Sequence, residues 1–134
     1  MKQANYLVFG ELWHLLERLQ LIDGIDFGEF ALDDPADVSA IIERWIRPYF
    51  EAASESNKSL IQSSFVYYLT TRTAPFEELR DDAQDLMLFS DGAEVSFLEA
   101  VGRALFGKTY LDDVRIENYV ELLDERAARM VFSP

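Results

Sequence analysis

The sequence predicts an all-α fold, a single compact domain of five or six helices spanning residues 1–134. Three observations predict it. Apolar residues recur every three or four positions through most of the chain. Proline, glycine and Asp/Ser clusters interrupt these runs at spacings typical of short helix connections. Hydrophobic residues make up 49% and aromatics 13% of the 134 residues, which is too apolar for a disordered chain. Area scaling gives a 15.4 kDa chain about 7,200 Å² of surface when folded and about 22,000 Å² unfolded, so a sizeable core is expected.

The first helix is expected over about Tyr6 to Ile22. Leu7, Val8, Phe9, Leu12, Trp13, Leu15, Leu16, Leu19, Leu21 and Ile22 make it apolar almost all round, which predicts a central helix. Residues 23–33, with Gly24 and Gly28, read as a short hairpin or loop, the place where any strand is expected. In Asp34-Pro35-Ala36-Asp37, Asp34 reads as a helix cap and Pro35 as a first-turn residue. Val38, Ile41, Ile42, Trp45, Ile46, Tyr49 and Phe50 then share one face, and Pro48 should kink or end that helix.

A third helix is expected after Ser54-Glu55-Ser56-Asn57, burying Ile61, Phe65, Tyr68 and Leu69 and leaving Ser59, Gln62, Ser63 and Thr70 on a polar face. After Pro75, a fourth helix turns Phe76, Leu79, Ala83, Leu86 and Met87 inward and Glu78, Asp81, Asp82 and Asp85 outward. Ser90-Asp91-Gly92 reads as a turn, and Asp91 with Glu94 as a capping box for a helix carrying Phe97, Leu98, Val101 and Leu105, which Gly107 stops. A last helix is expected after Thr109 to Asp113, with Ile116, Val120, Leu123, Ala127 and Met130 inward and Arg126 and Arg129 favouring its negative end.

Several chemistries lack the residues they need. The chain has no cysteine, so disulfides, thiolate metal sites and cysteine nucleophiles are excluded. Glu11 and His14 have the Glu-x-x-His spacing of di-metal helical bundles, but that site needs two such motifs and His14 is the only histidine. The segment from Asp23 to Asp34 has the length and central glycine, Gly28, of a calcium loop. However, Ile25 and Phe27 stand where oxygen ligands are needed. No phosphate-binding glycine loop or Gly-x-Ser-x-Gly elbow is present. No catalytic residue, cofactor or metal is therefore expected, and the chain reads as a non-enzyme. No run reaches the ~18 apolar residues of a membrane span, and a soluble, cytoplasmic protein is expected.

Charge carries the functional signal. The 25 Asp and Glu residues against 12 Lys and Arg leave a formal net charge of −13. Such an excess repels itself, and one use for it is the attraction of a basic protein surface. The basic residues form no run, so direct nucleic-acid binding is not expected. Two acidic tracts compete as the partner surface. The first holds Asp23, Asp26, Glu29, Asp33, Asp34 and Asp37 without a basic residue and interleaves Phe27 and Phe30. Carboxylates there would steer a partner and an aromatic would anchor it, unless both phenylalanines are core residues and the acids only cap and solubilise. The second tract, Glu77, Glu78, Asp81, Asp82 and Asp85, lacks interleaved aromatics on its outer face and reads more as a solvated helix face than as a partner surface.

The function expected from size, acidity, helicity and missing catalytic groups is a small inhibitor of the immunity type that occludes a basic protein partner, a toxin or nuclease domain. The alternatives are a nucleic-acid mimic that antagonises a host defence complex, and a helical adaptor or oligomerisation protein whose acidity only keeps it soluble. Oligomeric state is not legible in the sequence.

Overall fold

The computed structural model describes residues 1–81, 93–129 and 131–132. Helix dominates, and strand is confined to two three-residue segments among the described residues. Strand β1 (Lys2–Ala4) leads into helix α1 (Leu7–Ile22). A 3-10 turn (Phe27–Glu29) precedes α2 (Pro35–Ile41), which runs through a π-helical turn (Ile42–Ile46) into α3 (Arg47–Ala52). Then come α4 (Glu55–Thr71), α5 (Phe76–Asp81) and α6 (Glu94–Phe106). A second 3-10 turn (Ile116–Asn118), strand β2 (Tyr119–Glu121) and the short α7 (Glu125–Ala128) close the chain. Its accessible surface, 7378 Å², matches the area expected of a folded chain of this mass. No described helix is long and apolar enough to cross a membrane.

Helix α1 is the centre of the core, as its apolar circumference predicts. Phe9 packs on Phe65 of α4 (centroids 5.0 Å apart) and on Phe76 of α5 (5.3 Å), and Trp13 packs on Phe97 of α6 (5.9 Å). The apolar surround ends one turn early, because Leu21 and Ile22 are 61% and 77% exposed.

Pro48 neither ends nor breaks its helix. Lacking an N–H and carrying a ring that crowds the carbonyl four residues back, it would disrupt regular α geometry. The wider π turn immediately before it absorbs the misfit, with the Arg47 N–H reaching back to the Ile42 carbonyl. Arg47 then ties this rod to α6. It holds Glu43 through two hydrogen bonds (2.6 and 3.0 Å) and donates to the Ala104 carbonyl (2.7 Å), one of the last-turn acceptors of α6. The hydrogen bond from Arg47 keeps the Glu43 carboxyl below its ordinary pKa.

Helix α4 begins at Glu55, earlier than expected, because Ser54 caps it by accepting from the Asn57 N–H (3.1 Å). Ser63 does not stay on the polar face; with Ser64 it is buried against β1. The Ser63 hydroxyl donates to the Gln3 carbonyl and the Ser64 hydroxyl accepts from the Asn5 N–H (3.0 Å). The outer edge of β1 would otherwise bury unpaired backbone groups, and two small hydroxyls on a helix satisfy them.

The expected last helix is not formed. Its apolar residues Ile116, Val120 and Leu123 are 49%, 44% and 55% exposed, and Ala127 is half-buried. In place of a helix, β2 pairs in parallel with β1, setting Lys2 opposite Tyr119, Gln3 opposite Val120 and Ala4 opposite Glu121. Strand is thus found at the two ends of the chain and not in residues 23–33. Long-range bonds override the helical spacing: the Leu122 N–H donates to the Ala4 carbonyl (2.8 Å), Tyr68 to Glu121 (2.8 Å), and the fully buried Asn5 amide to the Asp124 carbonyl (2.8 Å). Helix begins only where the Asp124 carboxylate caps the Arg126 N–H (2.9 Å). Tyr110, in the turn after α6, lies over Gly102 and donates to the Glu99 carbonyl (3.3 Å); burial raises its pKa to about 12.

Ala93 occupies the cap position of α6, and Glu94 is buried in an ion pair with Arg80 (2.7 Å). Asp91, the expected cap, lies outside the described residues, as do Ala83, Leu86, Met87 and Met130.

Candidate partner-binding surface

The segment from Leu21 to Asp37 is shaped by local hydrogen bonds from its own side chains. Gly24, at φ +71°, turns the chain out of α1. Asp26 accepts from the Gly28 N–H (3.0 Å) and holds the 3-10 turn, Asp34 accepts from the Ala36 N–H (2.9 Å) as the cap of α2, and Asp37 reaches back to the Ala31 N–H (2.9 Å). These three carboxylates are therefore engaged in folding the segment. Asp23, Glu29 and Asp33 are exposed, and their carboxylates accept no hydrogen bond among the described residues.

Both phenylalanines face inward. Phe27 is fully buried and Phe30 is half-buried, and each meets the ring of Trp45 edge-on, at 5.3 and 5.6 Å. They pin the segment to the rod formed by α2 and α3, so Phe27 cannot anchor a partner and Phe30 offers only part of its ring. The Arg44 guanidinium lies 5.9 Å from the Trp45 ring centroid, bringing one cation to the border of this aromatic cluster.

The apolar groups available to a partner are instead Leu21 and Ile22, directly preceding Asp23. The site residues therefore separate into three kinds: Asp23, Glu29 and Asp33 with open carboxylates; Asp26, Asp34 and Asp37 as caps; and Phe27 and Phe30 as packing. A signal for Leu21 and Ile22 exists in the sequence. A helix apolar on every side has more apolar surface than its neighbours can cover, and the end that meets a Gly/Asp loop is where cover runs out.

Glu77, Glu78 and Asp81 are exposed on α5 with Leu79 inward, and Arg80 beside them pairs with Asp81 (3.2 Å) as well as Glu94. Asp82 and Asp85 lie outside the described residues.

His14 is part-exposed and faces Glu17 (3.6 Å), one turn along α1. No group of three or more potential metal-ligating side chains converges among the described residues. A groove of about 580 Å³ runs between β1 and α4, with Leu60 and Val66 among its apolar lining and Gln3, Asn57, Gln62 and Ser63 among its polar one. It lies apart from both acidic tracts.

Comparison of the chain with protein-family models, with curated proteins and with solved structures returns no match.

Proposed function

We propose that this chain is a small acidic inhibitor of the immunity type, acting in the cytoplasm by binding and occluding a basic protein partner, with a nuclease toxin as the partner class. In this reading it is not an enzyme and takes no cofactor. One observation carries the proposal: the exposed pair Leu21 and Ile22 stands at the head of a segment that displays Asp23, Glu29 and Asp33 and contains no basic residue. Carboxylates around an apolar centre steer a cationic surface into contact and leave the aliphatics to be desolvated once it arrives. Burying a Leu or Ile side chain contributes about 1.5–3 kcal/mol, whereas rim charges act mainly on the association rate. The three engaged carboxylates keep the segment in shape before binding, which lowers the ordering cost of association.

A nuclease toxin fits because its substrate-binding surface is cationic, so an acidic protein that covers it excludes nucleic acid by competition. The test is coexpression with candidate nuclease toxins, beginning with any encoded beside this gene. Growth should be rescued from that toxin and not from unrelated ones, since specificity needs more than negative charge. Failure to protect, with both proteins folded and expressed, would remove the proposal.

A further inference from the structure

The groove between β1 and α4 collects side-chain amides that the fold itself does not use. Three of the chain's seven Asn and Gln residues, Gln3, Asn57 and Gln62, line it. A fourth, Asn118, lines an adjoining hollow of about 250 Å³ that shares Lys2, Gln62, Val66 and Tyr119 with the groove. Asn5, by contrast, gives its carboxamide to the fold, donating to the Asp124 carbonyl and accepting from the Leu7 N–H. The fold engages Gln3 and Asn57 through backbone atoms, the Gln3 carbonyl and the Asn57 N–H. The side chains of Gln3, Asn57 and Gln62 make no hydrogen bond among the described residues.

Among the described residues the groove's lining contains no carboxylate, although 25 of the chain's 134 residues are acidic, and Lys2 is its one charged side chain. A cation would therefore find no counter-charge there, and an anion would meet the field of a chain with net charge −13. Tyr119, the aromatic ring of the lining, already has the Lys2 ammonium 5.6 Å from its centroid and Tyr67 packed against it at 5.8 Å. It is a poor platform for stacking a sugar or a base. What the groove offers is uncharged hydrogen bonding: each carboxamide both donates and accepts, as do the hydroxyls of Ser56 and Ser59, and Leu60 and Val66 lie between them. From Ser56 to Val66 the α4 wall runs about 15 Å, the length of about four or five extended residues.

We infer that this groove binds an uncharged peptide segment of another protein in extended form. A peptide backbone presents one donor and one acceptor per residue, the pairing that carboxamides match. Gln3, Asn57 and Gln62 hold the backbone of the segment, and Leu60 and Val66 receive its apolar side chains. Recognition runs through side chains because Ser63 and Ser64 already occupy the outer edge of β1, which leaves no place for a further strand. The groove lies apart from the segment of residues 21–37, so this inference and the proposed function fail or hold separately.

Titration of the nitrogen-labelled chain with a pool of capped pentapeptides made of Ala, Ser, Leu and Val, followed by NMR, tests it. At about 1 mM peptide the side-chain amide signals of Gln3, Asn57 and Gln62 should shift together with the backbone amides of residues 56–66, and residues 21–37 should not respond. Gln62→Glu and Asn57→Asp replace a donor by a carboxylate at nearly unchanged volume, and each should weaken binding at least about fivefold. Ser96→Glu, on the exposed first turn of α6 and outside the groove, adds the same charge and should leave binding unchanged. Circular dichroism checks that each variant is folded. Maltotriose and a capped pentaglutamate serve as rival probes. No shift with the neutral pool, shifts centred outside the groove, or equal weakening by Ser96→Glu would overturn the inference. So would a groove that takes maltotriose or pentaglutamate and not the neutral peptides.

Discussion

The acidic segment and the sheet end both expose aliphatic side chains, yet they are held in opposite ways. Between Leu21 and Asp37 the stabilising hydrogen bonds span two to six residues, from Asp26 to Gly28, Asp34 to Ala36 and Asp37 to Ala31. At the sheet end the bonds join residues far apart in the chain: Asn5 reaches Asp124 across 119 positions and Ser64 across 59. A surface whose hydrogen bonds are local, and which is pinned to the fold by Phe27 and Phe30 on Trp45, can spend its remaining carboxylates on a partner. One assembled from both ends of the chain depends on the whole fold, and it leaves a strand edge open.

The largest effect should come from breaking the distant bonds. Asn5→Ala removes the bond to the Asp124 carbonyl and the one received from the Leu7 N–H (3.1 Å), leaving buried polar groups unpaired. A loss of about 2–4 kcal/mol is expected in denaturant unfolding, with exchange accelerated in residues 2–5 and 119–124 well before residues 26–37. Uniform acceleration in both regions would show that the two are not independently held.

Next in size is Gly102→Ala. A methyl group there would collide with the Tyr110 ring, which closes the turn leading towards the sheet end. Overpacking of this kind costs about 1–3 kcal/mol, readable as a lower melting temperature. Tyr110→Leu in the same chain should recover part of the loss, because it removes the ring that collides.

Asp34→Ala tests the acidic segment and should cost about 1 kcal/mol, the usual worth of a helix cap. Its effect should stay local, accelerating exchange at the start of α2 and leaving the sheet end unaltered. Spread to residues 119–124 would contradict a segment held independently of the sheet end.

The smallest effect concerns pH. Arg47 holds the Glu43 carboxyl below its ordinary pKa, so this pair stabilises the fold above the usual glutamate range and loses its contribution as pH falls through the lowered value. Glu43 is half exposed, which limits the contribution to under about 1 kcal/mol. Glu43→Gln should be less stable than the unaltered chain by under about 1 kcal/mol at and above neutral pH, and acid titration should show that gap closing as pH falls through the lowered value.

The same contrast decides what could be read from the sequence. Local chemistry was legible: the central α1, the cap Asp34, and the inward Ile61, Phe65, Tyr68 and Leu69 are found where spacing and capping place them. Distant chemistry was not. Ile116, Val120 and Leu123 keep helical spacing, but the backbone bonds from Ala4 and the cap at Asp124 take that stretch out of the helix. Ser63 looked polar because its partner, Gln3, lies 60 positions away. Within the candidate surface, the acidity of residues 23–37 was evident, whereas its apolar component was misplaced: Trp45 draws Phe27 and Phe30 inward, and Leu21 and Ile22 stand exposed.

The most direct test of the central claim, that the segment from Leu21 to Asp37 is the binding surface, is surface plasmon resonance against the basic protein captured by this chain. Four proteins suffice: the unaltered chain, Ile22→Ala, Glu29→Lys/Asp33→Lys, and Glu78→Lys/Asp81→Lys, each verified as folded. The account predicts that charge reversal at residues 29 and 33 slows association and weakens its salt dependence. It also predicts that Ile22→Ala accelerates dissociation by tenfold or more, equivalent to about 1.4 kcal/mol, and that the α5 variant binds as the unaltered chain does. Loss of binding with Glu78→Lys/Asp81→Lys alone would contradict it and assign the partner to α5.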